Sequence, residues 1–397
     1  MTELRRLKIE GFRSIDRLDL CLSPLTVLIG SNGSGKSTIL EALELLRRAA
    51  ASPTEFMNEF QSVHGSLFNT LRRQASVLRF EVELGSEWGP ITYGFSIREM
   101  GGGYPGIDEE QLTVAGELLF ARVGSELQTD DAHRWLPQPS PGSLSLPKLE
   151  FQGAEAARAL IGYLSGIDVQ LPFQTTPAWA MRSAGLRPDM RAPEQIRRTL
   201  RLERFGVNLA NAYHAMLTDD GPAEWAKTME YVRLGLGDHI EDIRPRVHGD
   251  GFVALRFRLR GIDQDLNEVE LSDGQLAYLG FVALFRLRRR EMGRSERTLL
   301  AFDEPETHLH PATLARVVSL FEREALAHPV IVSTQSDALL DCLEAPAESV
   351  RVCELDERTL ATRVSRLDAV ELHSWLEDYR GVGALRSEGY LPQVVQR

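Results

Sequence analysis

Short apolar runs that end in polar residues recur along the chain and predict the strands of a buried parallel sheet. The runs PLTVLIG (24–30), TLLAFDE (298–304) and VIVST (330–334) contain mainly aliphatic and β-branched residues, as expected of strands that are covered on both faces. Segments with helical spacing follow the first two runs, at STILEALELLRRAA and at about 311–325. Strands that alternate with helices in this way indicate an α/β fold.

Alternating apolar and polar positions predict antiparallel strands at residues 4–10, 15–22, 77–99 and 111–123. The turn GGGYPG separates the last two segments. These segments lie before and after the first predicted helix in the sequence, and together they predict one β-rich lobe.

Helical spacing dominates the middle of the chain, from about residue 153 to residue 236. It includes the segments AEAARALIGYL, PEQIRRTLRLERF, NLANAYHAML and AEWAKTMEYVRLGL. Strand patterns return at 240–271, and a helix follows at about 273–291. We therefore expect a main domain whose N-terminal part spans 1–150 and whose C-terminal part spans 239–397, with a helical arm inserted at 151–238.

The stretch GSNGSGKST (30–38) lies between a predicted strand and a predicted helix and matches G-x-x-x-x-G-K-S-T, the pattern of a phosphate-binding loop. Glycines let backbone N–H groups turn toward phosphate oxygens, and the start of the helix adds partial positive charge. Lys36 would carry a positive charge to the β and γ phosphates, the Ser37 hydroxyl would ligate Mg²⁺, and Thr38 would touch the α phosphate. The candidate ATP-binding residues of this loop are Asn32, Gly33, Ser34, Gly35, Lys36, Ser37 and Thr38.

An acidic pair ends the apolar strand of TLLAFDEPETHLHP (298–311). Asp303 at a strand end suits a direct or water-mediated Mg²⁺ contact. Glu304 is placed to polarise an attacking water as a general base. The alternative is a pair of solvated acids that open a turn before Pro305.

The stretch LSDGQ (271–275) precedes a predicted helix. Ser272 and the amides of Asp273 and Gly274 would open that helix and form a second anion-binding helix start. LSDGQ resembles the LSGGQ signature of ABC-type ATPases. The resemblance implies a head-to-tail homodimer, in which the signature of one subunit closes over the ATP on the phosphate-binding loop of the other.

Three further stretches narrow the resemblance. LKIEGFRSI before the loop, FDEPETHLHP and STQS resemble the RecF/SMC-like branch of ABC ATPases, and most closely the stand-alone RecF-like ATPases related to the ATPase half of OLD nucleases. The resemblance covers most of the chain and is strongest over 3–46 and 268–342. It implies an ABC-type P-loop NTPase head with a β-rich lobe and an inserted helical arm. It also implies ATP hydrolysis with Mg²⁺ and a DNA-associated task in repair or anti-phage defence, and Gln335, at the position of the usual histidine, predicts that hydrolysis is slow.

Four residues carry weaker predictions. ABC heads usually place a histidine where this chain has Gln335. An amide can donate to a phosphate oxygen but does not titrate near pH 7. Gln335 is therefore a candidate γ-phosphate sensor or a surface amide. Arg13, in GFRS, would approach the nucleotide or form a surface salt bridge. Gln174 is the first candidate for the glutamine that touches Mg²⁺ in ABC heads, and Gln152 is the second.

The chain carries a formal charge of -12, which argues against indiscriminate binding to nucleic acid and restricts such contacts to local basic patches. One arginine-rich stretch spans 181–205 and offers Arg197, Arg198 and Arg201 as candidate DNA contacts. The alternative is a solvated helix face whose arginines pair with neighbouring glutamates. With little DNA contact, the chain would instead act as a regulatory ATPase switch for a separate effector protein, such as a nuclease or toxin.

The remaining features favour a cytoplasmic protein. The three cysteines fit neither a disulfide framework nor a metal site. The N-terminal segment lacks the apolar core of a signal peptide, and no apolar run reaches ~18 residues, so no membrane contact is expected.

Overall fold

The computed structural model describes residues 2–51, 56–101, 104–129, 139–151, 155–176, 189–287 and 297–396. The strands are β1 (Glu3–Phe12), β2 (Ile15–Cys21), β3 (Leu25–Ile29), β4 (Val77–Gly85), β5 (Ile91–Glu99), β6 (Pro105–Val114), β7 (Glu117–Val123), β8 (Glu126–Thr129), β9 (Ile167–Gln170), β10 (Glu194–Gln195), β11 (Ile240–Val247), β12 (Phe252–Leu259), β13 (Leu266–Asn267), β14 (Leu299–Asp303), β15 (Val330–Thr334), β16 (Val350–Leu355) and β17 (Thr362–Arg366). The helices are α1 (Lys36–Ala51), α2 (Phe56–His64), α3 (Glu155–Ser165), α4 (Leu209–Asp219), α5 (Pro222–Leu236), α6 (Asp273–Arg286), α7 (Pro311–Glu324), α8 (Asp337–Leu340), α9 (Pro346–Ser349), α10 (Ala369–Trp375) and α11 (Val382–Ser387).

A six-stranded central sheet carries the predicted apolar strands, in the order β17-β16-β3-β15-β14-β9. All neighbours are parallel except β16 and β17. Alternate residues of these strands point to opposite faces. In β14, Leu299 and Ala301 join one core cluster, whereas Leu300 and Phe302 join the other. Both faces are therefore buried, which explains why these strands are apolar without alternation.

One face of the central sheet is covered by α1, which in turn packs beneath a seven-stranded antiparallel sheet. That sheet has the order β2-β1-β4-β5-β6-β7-β8 and forms the predicted β lobe. Its buried side chains and those of α1 belong to one hydrophobic cluster. The other face of the central sheet is covered by α4, α6 and α7, whose buried residues share the second cluster with a small sheet of β10, β12, β11 and β13.

The segment predicted as a helical arm (151–238) differs from the structure in two places. β9 lies inside it and pairs with β14 in the central sheet, so part of the segment belongs to the head. The helix predicted from PEQIRRTLRLERF is wrong, because β10 and irregular backbone occupy this stretch. The buried amides of Asn208 and Asn211 accept from the N–H groups of Glu203 and Arg197, at 2.7 and 3.0 Å, in place of helical hydrogen bonds.

Candidate nucleotide-binding site

The loop GSNGSGKST leaves the carboxyl end of β3 and turns into α1, as the motif predicts. Gly33 and Gly35 adopt left-handed φ angles of 78° and 97°, which glycine reaches without strain. A side chain at Gly35 would also collide with Thr362 of β17. The loop is therefore held between the start of α1 and the C-terminal hairpin of the central sheet.

Lys36 is buried at the start of α1. Its Nζ donates to the carbonyls of Gly30 and Ser31, at 2.8 and 2.9 Å. Burial lowers the pKa of Lys36, while the charges of Asp303 and Glu304 act in the opposite direction. The ammonium is thus fixed inside the loop, on the side where the two acidic residues lie.

Ser37 and Asp303 face each other across the carboxyl edge of the sheet. The Ser37 hydroxyl lies 3.1 and 3.2 Å from the two carboxylate oxygens of Asp303. Ser333, which is opposite Asp303 in the parallel register of β14 and β15, also donates to that carboxylate. A serine hydroxyl and one carboxylate are oxygen ligands of the kind that hold Mg²⁺ together with phosphate oxygens and water, so these residues fit the ion.

Glu304 follows directly and has a left-handed backbone, with φ of 46°. Its N–H donates to the Ser333 carbonyl at 2.9 Å, which anchors the residue to β15. The side-chain amide of Gln335 donates to the Glu304 carboxylate. Gln335 therefore lies at the carboxyl edge of the sheet, as predicted, in direct contact with the candidate base.

Two further residues hold Gln335 in place and were missed at the sequence level. The Glu306 carboxylate accepts from the Thr334 hydroxyl at 2.7 Å and from the Gln335 N–H at 2.9 Å. Arg386 of α11 donates to the Gln335 carbonyl at 3.0 Å and pairs with Asp337 at 2.5 Å. Glu306 belongs to the FDEPETHLHP motif and could have been chosen from it, whereas no sequence signal places Arg386 here.

LSDGQ forms the start of α6. The Ser272 hydroxyl accepts from the Gln275 N–H at 3.3 Å, and the Gln275 side chain accepts from the Ser272 N–H at 2.9 Å, which is a capping box. A side chain at Gly274 would meet the His308 carbonyl at 2.8 Å. α1 and α6 lie on opposite faces of the central sheet, so the two helix starts approach the sheet from different sides.

Arg191, which is 3% exposed at its side chain, is the main residue that the sequence did not reveal. Its guanidinium donates to the carbonyls of Leu271, Glu268 and Val269 at 2.7, 3.1 and 3.3 Å. It also pairs with Asp273 at 2.6 Å and donates to the Thr175 carbonyl at 3.2 Å. One side chain therefore ties the signature to the loop that follows β9.

Gln174 lies in that same loop, beyond the end of β9. Because β9 is parallel to β14, with Gln170 opposite Phe302, the loop leaves the same sheet edge that carries Asp303. The Gln174 N–H donates to the Phe205 carbonyl at 3.0 Å. Its assignment as a Mg²⁺ contact stays a prediction, and Gln152 lies outside the described residues.

Arg13 forms two hydrogen bonds with Glu41 of α1, at 2.6 and 2.7 Å, which is the salt-bridge geometry. Arg197 pairs with Glu203 at 2.7 Å, while Arg198 and Arg201 are exposed.

His310 caps α7, since its Nδ1 accepts from the Ala312 N–H at 3.3 Å. Within the described residues, no group of three or more His, Cys, Asp or Glu side chains is arranged to hold a metal.

Two family models match parts of the chain. One, described as "AAA ATPase domain", matches residues 3–83, which include the P-loop. The other, described as "AAA domain, putative AbiEii toxin, Type IV TA system", matches residues 185–341, which include LSDGQ and the Asp303–Glu304 pair. The two matches thus contain the three motifs of the site.

The OLD nuclease of Thermus scotoductus (strain ATCC 700910 / SA-01) is 40% identical over 328 residues, which are 78% of this chain and 54% of that protein. The chain therefore spans about half the length of this relative. The DNA replication and repair protein RecF of Enterobacter sp. (strain 638) is 49% identical over 49 residues, or 12% of this chain and 14% of RecF.

Two solved structures share the fold. The SmcHead bound to the C-winged helix domain of ScpA aligns with a TM-score of 0.54 and 13% identity, over 94% of this chain and 99% of that chain. The Smc head domain with an extended coiled coil, bound to the C-terminal domain of ScpA derived from Pyrococcus furiosus, aligns with a TM-score of 0.51 and 12% identity, over 95% and 99%.

Among the described helices, none is long and apolar enough to cross a membrane. The head fold, the match to OLD nuclease and the two ATPase family models agree with one another. The chain is thus a homologue of OLD nuclease that carries ATPase-family domains on an SMC-head fold, consistent with the RecF/SMC-like ABC-type ATPases that its motifs resemble.

Proposed function

We propose that the chain hydrolyses ATP with Mg²⁺ at the carboxyl edge of the central sheet. Lys36 and the P-loop amides from Asn32 to Thr38 would bind the phosphates. Ser37 and Asp303 would hold Mg²⁺, which neutralises charge on the β and γ phosphates when bound. The observation that carries the proposal is the contact of Ser37 with Asp303 beside the contact of Gln335 with Glu304.

Glu304 is the proposed general base. The carboxylate accepts a proton from the attacking water, and the Gln335 amide fixes its orientation and donates toward the γ-phosphate. Because an amide does not titrate in this range, hydrolysis depends on Glu304 alone for proton acceptance. We expect slow turnover and a long-lived ATP state.

The second part of the proposal is an ATP-sandwiched homodimer. The starts of α1 and α6 approach opposite faces of the central sheet, and each offers N–H groups and partial positive charge to an anion. A second copy of the chain would bring Ser272, Asp273 and Gly274 to the phosphate held by the first copy. ATP would then close the dimer and hydrolysis would open it.

The test is the Glu304→Gln variant, which keeps the shape of the side chain and removes the base. We expect this variant to bind ATP and to elute as a dimer in light scattering with Mg-ATP, and as a monomer without nucleotide. Glu304→Gln combined with Lys36→Ala is the matched control and should stay monomeric. A Glu304→Gln protein that stays monomeric at saturating ATP contradicts the sandwich, while its hydrolysis rate tests the base separately.

The proposed task of the dimer is DNA-associated work in repair or anti-phage defence, which the relatives named OLD nuclease and RecF support. Arg197, Arg198 and Arg201 are the candidate contacts, and their joint change to Glu should abolish stimulation of the ATPase by DNA. The other candidate function is a regulatory switch that acts on a separate effector protein. The match to a family described by a toxin system favours it, and an ATPase that DNA does not stimulate at low salt would support it.

A further inference from the structure

The outer face of the small sheet is basic, although the chain as a whole is acidic. Ile243, Val253, Leu255 and Phe257 of β11 and β12 point into the second hydrophobic cluster. Because successive side chains alternate, Arg244 and Arg246 of β11 and Arg256 and Arg258 of β12 point the other way. This set of four arginines is called the arginine face below.

The register of the two strands brings the arginines together. Arg244 is directly opposite Arg256, and Arg258 is opposite Asp242. Directly opposed side chains have Cβ atoms about 5 Å apart, and alternate residues on one strand are about 7 Å apart. Like charges at this spacing destabilise a sheet. The fold therefore maintains a charge concentration that does not serve its own stability.

The neutralisation of this face is incomplete. Arg244 pairs with Asp242 at 3.0 Å, while Arg246 and Arg258 share Asp265, at 3.5 and 3.3 Å. The two aspartates thus pair with three of the four arginines, and the charge of the fourth, Arg256, acts on the buried Glu268 carboxylate. Three carboxylates therefore face four arginines. Arg244 and Arg246 remain 48% and 59% exposed, so their guanidinium groups can reach a ligand from solvent.

The arginine face is joined to the signature through β13. Asn267 lies opposite Arg256 in the antiparallel register of β13 and β12. Its N–H donates to the Glu270 carboxylate at 2.7 Å, in the turn that leads to Ser272. Glu268 is buried in the same turn, where the Arg256 charge acts on its carboxylate. The backbone of Arg256 is therefore joined through Asn267 to the turn that precedes LSDGQ, so a ligand that moves this part of β12 would move the turn.

We infer that the arginine face binds the phosphodiester backbone of duplex nucleic acid and transmits that contact through β13 to the signature. The inference rests on the proposed function and adds a second surface to the candidate DNA contacts Arg197, Arg198 and Arg201. Guanidinium groups suit phosphate because they donate in a planar fork. Within the arginine face no aromatic side chain is present to stack on bases, so the contact is independent of sequence.

The experiment measures binding of a fluorescent random-sequence duplex to the Glu304→Gln dimer in ATP, between about 50 and about 200 mM salt. The double variant Arg244→Gln/Arg246→Gln should weaken binding and lower the slope of log K against log salt by about 1.8, or about 0.9 for each lost phosphate contact. The control Arg17→Gln/Arg363→Gln, also exposed and paired in strands, should bind as the parent does.

The outcomes separate the inference from the proposed function. The ATP-dependent dimer is read in the same variants, and basal ATPase activity is read in Arg244→Gln/Arg246→Gln with Glu304 intact; both should be unchanged. An unchanged salt slope, or an equal loss in the control, overturns the inference. Equally tight binding of polyglutamate assigns the face to an acidic protein and also overturns it. If no dimer forms in the parent, the proposed function fails, whereas duplex binding by the monomer would still support the arginine face.

Discussion

Removing the Arg191 guanidinium should uncouple the signature from the rest of the head. Arg191 is buried, and its best contacts are to the Leu271 carbonyl, the Asp273 carboxylate and the Glu268 carbonyl, at 2.7, 2.6 and 3.1 Å. In Arg191→Ala these acceptors lose their donor at once. Asp273 is partly exposed and regains water, but the carbonyls of the turn do not.

The magnitude follows from these contacts. An unsatisfied buried acceptor costs about 1–3 kcal/mol, and breaking a buried ion pair on one side costs about 3–5 kcal/mol. Since Asp273 is partly hydrated, we expect Arg191→Ala to lower the free energy of unfolding by about 3 kcal/mol. The affinity of the ATP dimer should fall by at least about tenfold, which corresponds to about 1.4 kcal/mol. ATP binding to the P-loop of the monomer should be unchanged.

The assay compares three variants in the Glu304→Gln background, using urea unfolding, a fluorescent ATP analogue and light scattering. Arg191→Lys keeps the charge with fewer donors and should fall between parent and Arg191→Ala. Arg122 is the matched control, because it is also buried and donates to the carbonyls of Ser143 and Ser140 at 2.6 Å in the β lobe. Arg122→Ala should cost similar stability and leave dimer affinity intact. The reasoning is refuted if Arg191→Ala dimerises as the parent does, or if Arg122→Ala loses the dimer equally.

The remaining predictions concern the P-loop, the γ-phosphate sensor and acid stability. Lys36→Met should abolish ATP binding in the fluorescence assay, without loss of folded protein by circular dichroism. Gln335→Ala should slow hydrolysis about 10²-fold, as expected for loss of one positioned donor. A parent-like rate in Gln335→Ala would show the amide to be a surface group. The hydrolysis rate of the parent should vary little between pH 6 and 8. Burial opposes ionisation of Glu44, but Arg47 and two further arginines outweigh it and hold its pKa at about 2 instead of 4.5. The resulting stability is present above pH 4.5 and is lost as the pH falls toward 2. Glu44→Gln should therefore remove up to about 3 kcal/mol of the pH-dependent free energy of unfolding, measured by urea unfolding at several pH values. If Glu44→Gln loses stability below pH 4.5 as steeply as the parent does, the assignment is contradicted.

The core of the head was predictable from the sequence because its signals are local. The strands β3, β14 and β15 are continuous apolar runs, and the glycine loop must follow a strand and precede a helix. The parallel register then places Asp303 beside Ser333, so Gln335 was correctly assigned to the same sheet edge as Glu304. For these elements, one residue pattern determines one conformation.

Other elements depend on partners that are remote in sequence. β9 is only four residues long and contains buried Asp168 and Gln170, whose side chains bond to each other at 2.8 Å, while Arg297 donates to Asp168 at 3.1 Å. Ile167 and Val169 alternate with these two polar residues, but four residues are too few to predict a strand inside a segment of helical spacing. The strand forms because β9 pairs with β14 in the central sheet. Arg191 is similar, because its role depends on acceptors that the fold brings from about 80 residues away.

Glu304 connects these parts of the molecule. Its left-handed backbone stores strain that only fixed neighbours can maintain, and those neighbours are Ser333 at its N–H and Gln335 at its carboxylate. Gln335 is in turn held by Glu306 and by Arg386 of the C-terminal helix α11. The geometry of the base therefore depends on α11, just as the geometry of the signature depends on Arg191 and on β13. A protein that displaced α11 would alter hydrolysis without touching ATP, and a ligand on the arginine face would alter dimer closure without touching Glu304. In the proposed ATP-driven dimer, hydrolysis and closure would thus be open to separate control, because different residues position the candidate base and the signature.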